Sequence, residues 1–348
     1  MSAYLGRPVP RGEFQLRLRN VLITGGAGYV GTLLTPQLLD LGYSVTVYDA
    51  MYYGCELTPR DRLKIVAGDI RDMARLKEHL WGVDAVLALA CISNDAGFEL
   101  DPRISESINY DCFEPMVAAA KAQGVRRFVY ASSSSVYGVS DALEVTEEHP
   151  LVPLTLYNKF KGLCEPLLFK HQSKDFVCVV LRPATLCGYS PRQRLDLTVN
   201  ILTNHAVNGG RITVFGGEQQ RPNLHIQDMC DLYKLLLEVE DEKIAGETLN
   251  AGYQNQRIID IAEIVKRTVE AEFPDKGEIP IVTVPTNDMR SYRITSRRIA
   301  ERLGFVPKYS IEDAVRGLCR AFKEGRLPDA LTDDRYHNVR VLKAKGIA

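Results

Sequence analysis

Tyr157 and Lys161 stand four residues apart in Tyr157-Asn158-Lys159-Phe160-Lys161, and the run Ala131-Ser132-Ser133-Ser134-Ser135-Val136-Tyr137-Gly138 precedes them. Residues at that spacing share one face of a helix, so the ammonium can sit beside the phenol. A free tyrosine, with a pKa of about 10, is a poor base at neutral pH. A lysine charge roughly 4–6 Å away, at an effective dielectric near 20, favours phenolate by ~3–4 kcal/mol, or ~2–3 pK units. The expectation is a phenol brought towards neutrality, able to take a proton from an alcohol. The pair gains meaning only from what stands at the other end of the same half-chain.

There the sequence reads Thr24-Gly25-Gly26-Ala27-Gly28-Tyr29-Val30-Gly31. Asn20-Val21-Leu22-Ile23 before it is a short apolar run, predicted as a buried strand. Thr32 to Leu41 after it carries apolar residues at helical spacing, with Gly42 as a stop. Glycines there let the backbone turn tightly and approach a pyrophosphate at the positive end of the helix. Ser44 to Asp49 supplies a second strand ending in an acid, 18 residues beyond Gly31. A carboxylate there accepts hydrogen bonds from both adenosine ribose hydroxyls and repels a 2′-phosphate, so NAD(H) is preferred over NADP(H).

Taken in order, these pieces resemble the extended short-chain dehydrogenases/reductases of the nucleotide-sugar epimerase/dehydratase group, over nearly the whole chain. The motifs that carry the resemblance are the glycine run, Asp49, Gly68-Asp69-Ile70, Leu89-Ala90, Asn109, the serine run, Tyr157/Lys161 and Leu181-Arg182-Pro183-Ala184. Arg221 to Asp228 and Met289-Arg290-Ser291-Tyr292 complete them. The resemblance implies NAD held by Gly25, Gly28, Tyr29, Val30, Asp49, Asp69, Ile70, Leu89, Ala90, Pro183, Tyr157 and Lys161. Asp69 would contact adenine or be a plain turn aspartate. Asn109 would brace the active-site backbone or be a solvated helical asparagine. Ser133, three residues before Val136, takes the position of the catalytic hydroxyl beside Tyr157 and Lys161. Sugar 4,6-dehydratases of this group carry an Asp-Glu pair where this chain has Ser134 and Ser135, so dehydration is not expected.

For the substrate, a nucleoside diphosphate-sugar, the resemblance puts Arg221 and Arg290 on the diphosphate, whose oxygens suit rigid guanidinium forks. The run from Ser190 to Leu197 resembles GDP-heptose 4-dehydrogenase-like members. Arg192 and Arg194 would contact phosphate or seal a dimer, and Asn200 would touch the first phosphate or the sugar. Ser93, Ser134 and Thr185 are further substrate-side candidates. Thr185 and Cys187 depart from the UDP-galactose 4-epimerase pattern, which leaves the sugar open. His225 and Asp228 are expected to order a turn, and no metal site is implied.

Strand-like segments at Arg62–Ala67, Ala85–Ala90, Arg127–Ala131 and Val177–Leu181 alternate with helical ones at Met73–Leu80, Arg103–Gln123 and Tyr157–His171. This alternation predicts an α/β fold, a Rossmann-type doubly wound parallel sheet with a smaller C-terminal substrate-binding lobe. The expected division is an extension over 1–19, an NAD-binding domain over 20–185 and a mainly substrate lobe over 186–348. A segment near 223–252 returns to the sheet. The 348 residues are 45% hydrophobic, enough for one large core or two fused lobes. A net charge of −1 and the lack of a basic tract give nucleic-acid binding no support. Eight scattered cysteines suit reduced thiols, and neither a signal peptide nor a spanning apolar stretch is read, so a cytoplasmic protein without membrane insertion is expected. A homodimer through a four-helix bundle follows from the resemblance. The implied activity is epimerisation through transient oxidation at sugar C4. Net 4-dehydrogenation or ketoreduction stays open, as does a non-catalytic NAD-bound sensor.

Overall fold

The computed structural model describes residues 17–287 and 290–347. Seven parallel strands form the central sheet: β1 (Asn20–Thr24), β2 (Ser44–Asp49), β3 (Leu63–Ala67), β4 (Ala85–Ala88), β5 (Arg127–Ala131), β6 (Val177–Pro183) and β10 (Glu247–Ala251). Their spatial order is β10-β6-β5-β4-β1-β2-β3, which reverses direction between β1 and β4. At that reversal the crossovers diverge to opposite faces and leave a crevice at the carboxyl ends of the strands. Alternation along each strand sorts the side chains. Val21, Ile23, Val45 and Val47 join the core under the helices Gly31–Asp40 and Ile226–Glu238. Leu22, Tyr48 and Val86 join the opposite core with Phe113, Met116 and Phe160. Both faces are covered, as parallel sheets require.

The second lobe carries β7 (Thr185–Cys187), β8 (Ile212–Phe215), β9 (Gln220–His225), β11 (Gln254–Arg257) and β12 (Ile281–Val284). These make a three-stranded sheet, β11-β9-β7, and a parallel pair, β8 with β12. The helices Thr198–Gly209, Ile258–Glu272 and Ile311–Lys323 bury Val199, Ile261, Val265 and Val315 in a core of their own. Between β9 and β11 the chain returns to the main sheet through Ile226–Glu238 and β10. The last helix, Asn338–Ala344, also crosses back, burying Leu342 in the same core as Phe98.

Two expectations are corrected. The helix expected over Arg103–Gln123 is present but carries a π-helical turn, running as Pro102–Glu106, the turn Ser107–Asp111, and Phe113–Ala122. The extra residue of the wide turn accompanies the inward placement of Asn109, whose amide accepts from Ile92 N at 2.8 Å and donates to Ile92 O at 3.0 Å. Asn109 is thus a backbone brace and not a solvated residue. In the N-terminal extension, residues 1–16 lie outside the described residues, but Leu18 is buried in the core and Arg17 pairs with Asp241.

Candidate active site

A cavity of about 460 Å³ opens at the strand reversal, walled by Gly25 and Gly28 on one side and by Arg221, Arg290 and Asn338 on the other. On the first side the glycines are there because nothing larger fits. Gly25 has φ +71°, and a Cβ on it would lie 2.6 Å from Ala90 N. A Cβ on Gly31 would lie 2.2 Å from Gly26 O. The backbone of Gly28, Tyr29 and Val30 therefore borders the cavity where the helix Gly31–Asp40 begins. The Tyr29 ring turns away, donating to Gly188 O at 2.6 Å and so stitching the second lobe to the glycine loop. Asp49 closes β2 and accepts from Ala27 N at 3.0 Å and Met51 N at 2.8 Å; burial raises its pKa above the ordinary carboxylate value. Asp69 accepts from the Arg71 guanidinium through both oxygens. Burial works to raise the Asp69 pKa, and the Arg71 bonds outweigh it to leave it low. Ile70, Leu89, Ala90 and Pro183 line the same side.

The donor set fits a dinucleotide. A Cβ on Gly25, Gly26 or Gly31 would collide with Ala90, Val47 or Gly26 and force the tight loop open, and Gly28, Tyr29 and Asp49 border the cavity there. With NAD bound, Gly25, Gly28, Tyr29 and Val30 would hold the pyrophosphate and Asp49 the adenosine ribose.

The helix Leu156–Phe169 carries Tyr157 and Lys161 and is capped by Thr155, whose hydroxyl accepts from Asn158 N and donates to Asp95. Lys161 Nζ donates to Ala131 O at 2.6 Å and stands 5.9 Å from the centre of the Tyr157 ring. The expected depression of the Tyr157 pKa is not what this geometry gives. Burial raises it well above the ordinary tyrosine value, and the Cys91 and Asp95 side chains add to the rise. The Lys161 ammonium is directed at the Ala131 carbonyl and stands over Tyr130, 5.1 Å from that ring.

Each serine has its own partner. Ser132 donates to Glu165 at 2.6 Å, and Glu165 receives a two-pronged bond from Arg182 at 2.6 and 3.0 Å, all of it buried. Ser133 faces the cavity and shares a 2.7 Å bond with Ser135 Oγ. Ser134 meets the Tyr292 hydroxyl at 3.3 Å, and Ser135 donates to Asn158 Oδ1.

On the far wall, Arg221 reaches the carbonyls of Gln220 and Arg290, and Arg290 pairs with Asp95. Thr185 and Ser93 also line the cavity, Ser93 Oγ accepting from Arg194 and Asn338, each at 3.1 Å. Arg194 is taken by Asp196 at 2.9 and 3.0 Å. Asn200 is a correction. It is fully buried behind the wall, accepting from Gly188 N at 2.9 Å and donating to Arg194 O and Tyr29 Oη. Its amide is consumed in shaping the 188–194 loop, because a buried amide must satisfy all its bonds locally. Arg192 has different partners from Arg221 and Arg290, with its guanidinium 4.2 Å from the Tyr53 ring centre and bonded to Asn338 at 2.6 Å. His225 and Asp228 hold turns, accepting from Gln227 N and from Lys308 N and Tyr309 N. Tyr53 and Asn338 escaped the sequence reading. Tyr53 follows β2 in a loop, and nothing near Asn338 marks it as part of a site 245 residues from its partner Ser93.

A family model described as the NAD dependent epimerase/dehydratase family matches residues 21–252. The chain belongs to that family. Among its relatives, dTDP-glucose 4,6-dehydratase of Streptomyces griseus is 28% identical over 85% of this chain and 92% of its own length. UDP-glucose 4-epimerase of Lactobacillus helveticus is 26% identical over 85% of this chain and 94% of its own length. A crystal structure of dTDP-glucose 4,6-dehydratase from Streptomyces venezuelae with NAD bound superposes with a TM-score of 0.77 at 25% identity, covering 88% of this chain and 98% of that one. The UDP-glucose 4-epimerase of Thermotoga maritima superposes at 0.78 over 88% and 99%, and at 22% identity it speaks for the fold alone. The protein is thus an extended short-chain dehydrogenase/reductase of an NAD-dependent nucleotide-sugar family whose members run both reactions.

Proposed function

We propose that this enzyme is a nucleotide-sugar epimerase working through transient oxidation at sugar C4, and that its site residues act as follows. NAD+, when bound, supplies the hydride acceptor for C4. Ser133 holds the C4 oxygen, Tyr157 takes the hydroxyl proton as the hydride leaves, and Lys161 stabilises the phenolate and orients the cofactor ribose. The keto sugar turns within the cavity. Tyr157 would then give the proton back as the ketone is reduced on its other face. Arg221 and Arg290 hold the diphosphate, with Ser93, Ser134 and Thr185 along the sugar.

The observation that carries epimerisation over dehydration is the state of the cavity's carboxylates. Among the described lining residues these are Asp49, Asp69, Asp95 and Asp196. Asp69, Asp95 and Asp196 are ion-paired with Arg71, Arg290 and Arg194, and Asp49 accepts from two backbone amides. Ser134 and Ser135 already bond Tyr292 and Asn158. Elimination of water needs a free acid and base beside the sugar, and this wall offers hydroxyls there. A second reading, net 4-ketoreduction, is favoured by the raised Tyr157 pKa, since a protonated phenol is the acid that reduction requires.

A cytoplasmic homodimer belongs to the same proposal. It is supported by the exposed Leu156 and Leu163 on the helix Leu156–Phe169, a helix that such a bundle would use. Among the described residues no helix is long and apolar enough to cross a membrane.

The test is absorbance at 340 nm of NAD-loaded enzyme against UDP-, GDP-, dTDP- and CDP-sugars, with products resolved by NMR. A stereoisomer without net NADH supports epimerisation. Stoichiometric NADH with a keto sugar makes the enzyme a dehydrogenase, and a 4,6-dehydrated product defeats both readings.

A further inference from the structure

The 188–197 loop leaves the second lobe and lies along the start of the helix Gly31–Asp40. Ser190 Oγ donates to Tyr29 O at 2.6 Å, and Arg192 N donates to Thr32 Oγ1 at 3.3 Å. This brings Arg192 to the cofactor side of the cavity. Its side chain is only 4% exposed, and its Nε has no hydrogen-bond partner. The guanidinium has one polar partner, the neutral Asn338 Oδ1, and one ring, Tyr53. Among the described residues it forms no ion pair. The carboxylates nearest in charge terms are committed: Asp196 to Arg194 by two bonds, and Asp49 to the amides of Ala27 and Met51.

A buried guanidinium without a carboxylate is costly, because desolvation is not offset by a partner. The strain is visible in its pKa, which burial and the neighbouring Arg194 bring down to about 10. Arg194, a contrast two residues on, is fully paired. The missing counter-charge therefore has to come from whatever fills the cavity beside the glycine loop. That position faces the amino end of a ten-residue helix, where the amides of the Gly25–Gly31 loop already favour an anion.

We propose that Arg192 is a cofactor-binding residue that clasps the dinucleotide diphosphate from the substrate lobe, so that the 188–197 loop closes over NAD rather than over the sugar nucleotide. Thr32 and Ser190 pin the loop, Asn338 and Tyr53 aim the guanidinium, and the diphosphate supplies its counter-charge. The proposal rests on the family's use of NAD and departs from the substrate role expected for Arg192.

The experiment is calorimetric titration of wild type and Arg192→Gln with NAD, ADP-ribose, adenosine and UDP. Removing a charged hydrogen bond to phosphate should weaken NAD and ADP-ribose by roughly 10–100-fold and leave adenosine and UDP unchanged. Loss confined to UDP returns Arg192 to the substrate and overturns the proposal. Equal loss for adenosine, or no change in NAD affinity, overturns it as well. If Arg192→Gln does not fold by circular dichroism, Arg192→Lys is titrated instead. A smaller loss with the same ligand pattern supports the clasp, and unchanged NAD affinity sinks it. Failure of the wild type itself to bind NAD would instead sink the cofactor reading on which the clasp depends.

Discussion

On the cofactor side of the cavity, eight consecutive residues from Thr24 to Gly31 supply the turn, the amides and the helix start, and Asp49 follows one strand later. The opposite wall draws Ser93, Arg221, Arg290 and Asn338 from four separate segments. The first side is set by backbone: positive φ at Gly25, and close approaches that exclude any Cβ. The second is set by side chains that hold one another, Arg290 with Asp95, Arg194 with Asp196, and Asn338 with Ser93 and Arg192. A backbone-built cradle suits one unchanging group, such as the diphosphate proposed for it. A wall of mutually bonded side chains can be redrawn residue by residue, which suits a family whose relatives are named for different nucleotide-glucose substrates and different reactions.

The sharpest way to separate the two sides is at Tyr157, which both share. Tyr157→Phe should lower turnover by roughly 10²–10⁴-fold, the usual worth of a positioned acid–base, while NAD titration changes little. A loss of NAD binding equal to the loss of turnover would break the comparison. Because burial raises the Tyr157 pKa, deprotonation stays unfavourable at neutral pH. The oxidation rate should therefore keep rising through pH 9, and a plateau near pH 7 would show the lysine winning after all.

Beneath both sides, Glu165 ties the catalytic helix to Ser132 and to Arg182 of β6. Glu165→Leu leaves a buried guanidinium unpaired and should cost about 3–5 kcal/mol in urea unfolding, much of it recovered by adding Arg182→Met. No recovery in the double variant would mean the cost is packing, not charge. Arg290→Ala acts on the wall alone. It should raise KM for the sugar nucleotide by roughly 10–100-fold without altering NAD affinity, as expected for one charged hydrogen-bonding group. An equal shift in NAD binding would join what the comparison separates.

The remaining effect is on alkaline stability. Burial raises the pKa of Tyr29, Tyr130, Tyr157, Tyr233 and Tyr292. Below about pH 10 both folded and unfolded chains keep these protons. Above it the unfolded chain loses them first, so the stability they contribute falls by about 1 kcal/mol per pH unit for each. Thermal melts should therefore drop from pH 10 upward and stay flat between pH 7 and 9 on their account.

Most of the cofactor side was legible in the sequence because its information is local. The glycines, the strand before them and the acid after them are one contiguous pattern, and Tyr157 and Lys161 lie one helical turn apart. Hydrophobic alternation likewise placed the strands of the central sheet, since a parallel sheet covered on both faces needs apolar residues throughout. Where sequence reading failed, a distant partner decided. The 103–123 helix carries a π-helical turn at Ser107–Asp111, where Asn109 is bonded to Ile92. Asn200 is withdrawn from the cavity by Gly188, Tyr29 and Arg194.

The sequence by itself therefore determined the doubly wound fold, the dinucleotide cradle and the tyrosine–lysine pair, because each depends on φ/ψ limits and on periodicities of two and 3.6 residues. Only the tertiary structure decided which charges are spent and which are spare. It set Tyr157 half-buried in the cavity wall with Lys161 turned onto Ala131 O, matched Arg194 with Asp196, and left Arg192 without a carboxylate beside the helix start. Those outcomes depend on solvent exclusion and on partners distant in the chain, and neither quantity is encoded in the spacing of residues along one segment.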